Sequence, residues 1–137
     1  MSTVSAEQRL ILIVDDDFDF LEINRIILEG AGYRVVTATN PAEALTRVDA
    51  EAPDLVITDL MMTSIDAGFA FAAQLKGDPR TAGVPIIIST SVSSALGLNF
   101  HPDSPDDLAK MNVDAYFDKP IDAGALLAKV AELLERA

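Results

Sequence analysis

The sequence predicts an α/β fold: a doubly wound, five-stranded parallel sheet in the order 2-1-3-4-5, flanked by helices as a three-layer (βα)5 sandwich. Three observations predict it. Short, continuous apolar runs recur as Leu10-Ile11-Leu12-Ile13-Val14, Leu55-Val56-Ile57 and Ile86-Ile87-Ile88, the mark of strands buried on both faces. Segments of helical spacing separate them, and such alternation favours a parallel sheet with right-handed crossovers. Polar groups fit for chemistry follow the runs: Asp15, Asp16 and Asp17 after the first, Asp59 after the third, Lys119 after the last. In a sheet of this order, strands one and three meet at the topological switch point, where ligands bind at the carboxyl ends.

Taken in order, residues 1–8 read as a disordered lead-in and residues 9–137 as one domain. After the first strand, Asp17 can cap a helix from Phe18 to Ala31 with Phe20, Ile23, Ile27 and Ala31 on its buried stripe and Leu21 and Leu28 beside it. Gly32 fits the left-handed position beyond its end. Tyr33 to Ala38 is a second, shorter strand. Asn40-Pro41-Ala42-Glu43 starts a helix: Asn40 caps, Pro41 takes the first turn, and Glu43 reaches back as in a capping box. Ala52-Pro53 ends it. Leu55 to Asp59 is strand three, and Gly68 to Lys76 a helix with Phe69, Ala72, Ala73 and Leu75 as its apolar positions. Pro85 to Thr90 is strand four, closing on hydroxyls. Ala115 to Asp118 is strand five. Asp122 caps a last helix that buries Leu126, Val130, Leu133 and Leu134. Between Val92 and Met111 the pattern is broken by Gly97, Pro102 and Pro105, with a short helix from Pro105 to Met111 behind Ser104.

The 137 residues suit one core. There is no cysteine, so disulfides and thiolate metal sites are excluded. The N-terminus lacks the pattern of a signal peptide, and no apolar run reaches the roughly 18 to 20 residues of a membrane span. A cytoplasmic location without membrane insertion is expected. Twenty-two acids against ten bases give a formal net charge of −12, which repels phosphate backbones and argues against direct nucleic-acid binding.

Much of that charge is solvated surface, but acids gathered at strand ends repel one another unless a cation joins them. Asp15, Asp16 and Asp59 form such a group. Oxygen donors without nitrogen or sulfur suit Mg²⁺, or Mn²⁺ in its place. An aspartate carboxylate is also a nucleophile that forms acyl phosphates. Lys119 can neutralise phosphoryl oxygens, and the Thr90 hydroxyl can donate to one. A cis Lys119-Pro120 bond would aim the lysine inward. His101, the only histidine, lies between Phe100 and Pro102 and reads as a surface-loop residue.

These residues resemble the receiver domain of two-component response regulators, the CheY-like member of the flavodoxin-type folds. The resemblance covers about residues 9–136. It rests on Ile11 through Asp17, Asp59-Leu60-Met61-Met62 with Asp66 seven residues on, Pro85 through Thr90, and Lys119-Pro120. It implies that Asp59 is the phosphoacceptor. It implies that Asp16 and its partner Asp15 bind metal with Asp59 and the Met61 carbonyl. It implies Thr90 as the switch hydroxyl, Lys119 as the site lysine and Tyr116 as the aromatic that follows Thr90. The donor would be a sensor histidine kinase or a histidine phosphotransfer protein, and the output a partner protein. The chain would act as a single-domain regulator, with no catalysis beyond self-phosphorylation and slow self-dephosphorylation. Whether it forms a homodimer through its last face stays open.

The sequence departs from the family pattern in several places. Thr63 stands where proline is usual, Gly68 falls one place late, and the segment from Thr90 to Lys119 is about seven residues longer than usual. Met61 and Val92 occupy the two positions that tune hydrolysis, and neither can orient a water. The departures motivate an alternative, a receiver-like interaction module that works without phosphorylation. A haloacid-dehalogenase-type hydrolase with Asp15 as nucleophile is a third class. It would leave Asp59 idle.

Overall fold

A computed structural model describes residues 9–59, 67–90, 113–119 and 121–136. Among them lie β1 (Leu10–Val14), α1 (Phe18–Gly30), β2 (Arg34–Ala38), α2 (Pro41–Glu51), β3 (Leu55–Asp59), α3 (Ala67–Lys76), β4 (Ile86–Thr90), β5 (Ala115–Asp118) and α4 (Ala123–Arg136). The strands pair in parallel in the order β2-β1-β3-β4-β5, as the sequence predicts. The lead-in at residues 1–8, the proposed helix at 105–111, the Lys119-Pro120 peptide and His101 lie outside the described residues.

Local chemistry fixes the helix ends. Asp17 Oδ1 accepts hydrogen bonds from the Asp19 N–H at 3.0 Å and the Phe20 N–H at 3.3 Å, satisfying donors that α1 leaves open. Gly32 takes φ 100° after the helix, a conformation that costs glycine nothing. Asn40 Oδ1 accepts from the Glu43 N–H at 2.8 Å. Glu43 reaches back one residue further than a capping box requires. It accepts from the N–H of Thr39 at 2.7 Å and from the Thr39 hydroxyl at 3.0 Å. Those bonds hold the Glu43 carboxyl below its ordinary range.

Alternation along each strand sorts the core into two layers. Leu12, Val14, Val56, Ile86 and Ile88 pack with Ala44 and Val48 of α2 and Phe71, Ala72 and Leu75 of α3. Ile11, Ile13, Leu55, Ile57 and Ile87 pack on the other face with Phe20, Leu21 and Leu28 of α1 and Leu126, Val130, Leu133 and Leu134 of α4. The stripe of α1 is rotated from the predicted one. Ile23 is 58% exposed and Ala31 lies outside the core, while Asn24 is buried, its Nδ2 donating to the Phe20 carbonyl at 2.8 Å. A polar residue satisfied by its own helix hid the phase of the buried face. In α3 Phe71 is buried and Ala73 faces solvent, while the side chain of Phe69 lies outside the described residues.

The N-terminal edge of the sheet carries a repeated device. The Asp54 N–H donates to the Leu10 carbonyl at 2.7 Å, and the Asp54 side chain accepts from the Leu10 N–H at 2.8 Å. Asp114 does the same for Ile86, at 2.7 and 2.8 Å. Each acid extends its strand's ladder by one two-way link.

Candidate functional site

The opposite edge of the sheet holds the acids singled out in the sequence. On the face covered by α1 and α4, four strand rows end in polar residues. Ile11 and Ile13 lead to Asp15, Leu55 and Ile57 to Asp59, Ile87 to Ser89, and Ala115 and Phe117 to Lys119. The two-residue period of a strand therefore aims these groups at one place. Asp15, Asp16 and Asp59 each offer a carboxylate oxygen within 4.8 Å of the others. Asp15 is fully buried and Asp59 nearly so, while Asp16 is exposed and opens the cluster to solvent.

Lys119 spans the cluster. Strand order requires its side chain to cross β4 before reaching β3 and β1. Its Nζ lies 2.5 Å from Asp15 Oδ2 and 3.7 Å from Asp59 Oδ2. The same ammonium sits 4.3 Å from the centre of the Phe20 ring, a cation–π contact. Asp15 Oδ1 accepts the Asp17 N–H at 2.9 Å, so both of its oxygens are engaged. Burial pushes the Asp15 carboxyl above its ordinary range, opposed by the Lys119 ammonium and the Asp17 N–H. Lys119 contacts two of the three carboxylates, and the oxygen-only donor set of all three fits a hard divalent cation.

The other predicted residues divide. Thr90 ends β4, with its backbone in register with Asp118 of β5; its side chain lies outside the described residues. Tyr116 is half-buried and packs on the α2–α3 side of the sheet, away from the face that holds Asp59. Met61, with its carbonyl, and Val92 lie outside the described residues. Two neighbours of the site were not foreseen in their roles. Phe20 reads from its spacing as core alone, yet its ring also seats the lysine. Ser89 reads as one of several strand-end hydroxyls, yet it is fully buried beside Asp59 in the strand register. The visible signal for Ser89 was a hydroxyl where the apolar run of β4 stops.

Fold and site together define a signalling module built around an acidic pocket. The family model described as "Response regulator receiver domain" matches residues 11–131, and the chain belongs to that family. It is 36% identical over 129 residues to "Transcriptional regulatory protein GlrR" of Escherichia coli (strain K12), covering 93% of this chain and 26% of that protein. It is 34% identical over 126 residues to "DNA-binding dual master transcriptional regulator RpaA" of Synechocystis sp. (strain ATCC 27184 / PCC 6803 / Kazusa), covering 92% and 49%. The chain thus spans from a quarter to half of these relatives' lengths. Among solved structures, the signal receiver domain of a histidine kinase from Syntrophus aciditrophicus is 30% identical with a TM-score of 0.76, over 94% of this chain and 92% of that one. A CheY-like receiver domain protein from Methanospirillum hungatei JF-1 is 26% identical with a TM-score of 0.77, over 93% and 94%. Receiver domains are signalling modules that interact with histidine kinases, and the acidic pocket is compatible with aspartate phosphorylation and Mg²⁺ binding. No helix among the described residues is long and apolar enough to cross a membrane.

Proposed function

We propose that Asp59 accepts a phosphoryl group from the phosphohistidine of a sensor kinase or phosphotransfer protein, and that the chain relays the mark to a partner protein in the cytoplasm. The observation that carries this is the Asp59 carboxylate at the end of a buried strand, with Lys119 Nζ 3.7 Å away and carboxylate oxygens of Asp15 and Asp16 within 4.8 Å. An Asp59 oxygen attacks phosphorus, the P–O bond forms, and the P–N bond breaks with its electron pair returning to the histidine ring. Asp15, Asp16 and Asp59, with the Met61 carbonyl, would hold Mg²⁺ or Mn²⁺, which would supply positive charge to the phosphoryl oxygens. Lys119 leaves Asp15 for those oxygens and balances the charge brought in. The Phe20 ring limits where the lysine can go. The reading carries the mark onward through Thr90 and Tyr116 as a population shift. With Met61 and Val92 unable to orient water, self-dephosphorylation is slow.

The acidic chain offers a poor surface for DNA. The DNA binding in the relative's name is that protein's, and the output read here is a protein contact. Incubation with phosphoramidate and Mg²⁺, read by intact mass, tests the reading. One added phosphoryl group is expected, and none in Asp59→Asn. Labelling that survives that substitution overturns the assignment. No labelling of the wild-type chain leaves the phosphorylation-independent interaction module in its place.

A further inference from the structure

Ser89 carries a cost with no return in the resting site. Its side chain is fully buried, and its hydroxyl has no hydrogen-bond partner among the described residues. A buried polar group in that condition is destabilising, and an alanine would fill the same strand position without the penalty. The hydroxyl therefore calls for an explanation beyond size.

Its surroundings supply one. Ser89 stands directly opposite Asp59 in the register of β3 and β4, and opposite Phe117 in the register of β4 and β5. All three belong to the face on which Lys119 lies. Neighbouring strands lie about 4.8 Å apart, so partners in register on one face come within the span of a serine-to-carboxyl hydrogen bond after a rotamer change. In the resting site Lys119 stands over Asp15 and Asp59. Once one oxygen of Asp59 carries a phosphoryl group, the ammonium is drawn to the new charge. The remaining carboxyl oxygen, now a carbonyl, has two lone pairs, so it can ligate a metal on the Asp15 side and still accept a hydrogen bond from β4.

We propose that Ser89 is a positioning residue whose hydroxyl, unpartnered in the resting site, donates a hydrogen bond to the remaining Asp59 carboxyl oxygen in the phosphorylated state. The inference rests on Asp59 being the phosphoacceptor. Its consequence is a bias: the resting form bears an unmade bond that the phosphorylated form makes. Ser89 thereby stabilises the mark and lengthens its life.

Beryllofluoride, a phosphoryl mimic that binds carboxylates without a covalent step, gives an equilibrium test. With Mg²⁺ present, Ser89→Ala is expected to bind it about tenfold more weakly than the wild type. Its phosphoryl group is expected to be lost about tenfold faster, by the same bond. The Mg²⁺ affinity of resting Ser89→Ala stays unchanged, and its melting temperature stays equal or rises. Ser89→Thr, which keeps the hydroxyl, restores tight binding. Equal beryllofluoride affinity in wild type and Ser89→Ala overturns the inference, as does a Ser89→Thr that behaves like alanine. A wild type that binds no beryllofluoride and takes no phosphoryl group refutes the phosphoacceptor reading itself, a distinguishable result.

Discussion

The two edges of the sheet use aspartate in opposite ways. At the N-terminal edge, Asp54 and Asp114 each serve one strand-start N–H, and Asp114 adds a contact of 3.4 Å with Lys76. Each carboxylate there has a nearby structural task. At the C-terminal edge, Asp15, Asp16 and Asp59 crowd together around one lysine, and the buried Asp15 is held above its ordinary range. One edge spends its acids on finishing the sheet. The other gathers them where burial and their neighbours' charge disfavour the ionised form, opposed by Lys119, and where an incoming cation would add to that relief. Charge alone is therefore not the sign of a site; several carboxylates gathered within ligand distance of one another are.

Removing the lysine tests the crowded edge most strongly. Lys119→Met leaves the Asp15 carboxylate buried without its ammonium, and a loss of about 3 kcal/mol in urea unfolding is expected in chelator. Added Mg²⁺ should recover a large part of it, because the metal replaces the missing charge. Failure of Mg²⁺ to do so would end the idea that lysine and metal share Asp15. At the quiet edge, Asp114→Ala orphans the Ile86 N–H and should cost about 2 kcal/mol. That loss should be the same with or without Mg²⁺, and phosphoramidate labelling should be unaffected. A Mg²⁺-dependent loss at Asp114 would erase the distinction between the edges.

The smallest effect is a pH dependence. Because the folded chain raises the Asp15 value, it holds that proton more tightly than the unfolded chain does. The group thus favours folding below its ordinary value and loses that contribution as pH rises through the raised one. In Asp15→Asn the titration is gone. Its stability relative to wild type, in chelator, should climb with pH across that window and level off above it. A flat difference between pH 3 and pH 7 contradicts the assignment.

Much of this was legible in the sequence because strands buried on both faces write themselves as apolar runs. Leu55–Asp59 and Ala115–Asp118 have the bounds read from the sequence, and Asp17, Asn40 and Asp122 cap as their residue types suggest. The gathering of Asp15, Asp16, Asp59 and Lys119 followed from strand order alone. What the sequence hid was phase and pairing. Asn24, buried and bonded to its own helix, masked the inner face of α1. The register that sets Ser89 against Asp59 is a tertiary fact that no local pattern prints. Nor does spacing reveal that Phe20 meets the lysine.

The bond between Lys119 and Asp15 joins residues 104 apart in the chain. Closing so long a loop gains nothing until β1, β3, β4 and β5 lie side by side. The pocket is therefore expected to form late in folding. A metal or phosphoryl group that occupies it should slow unfolding and leave the folding rate nearly untouched. An occupant of the pocket would then double as a kinetic lock on the chain that holds it.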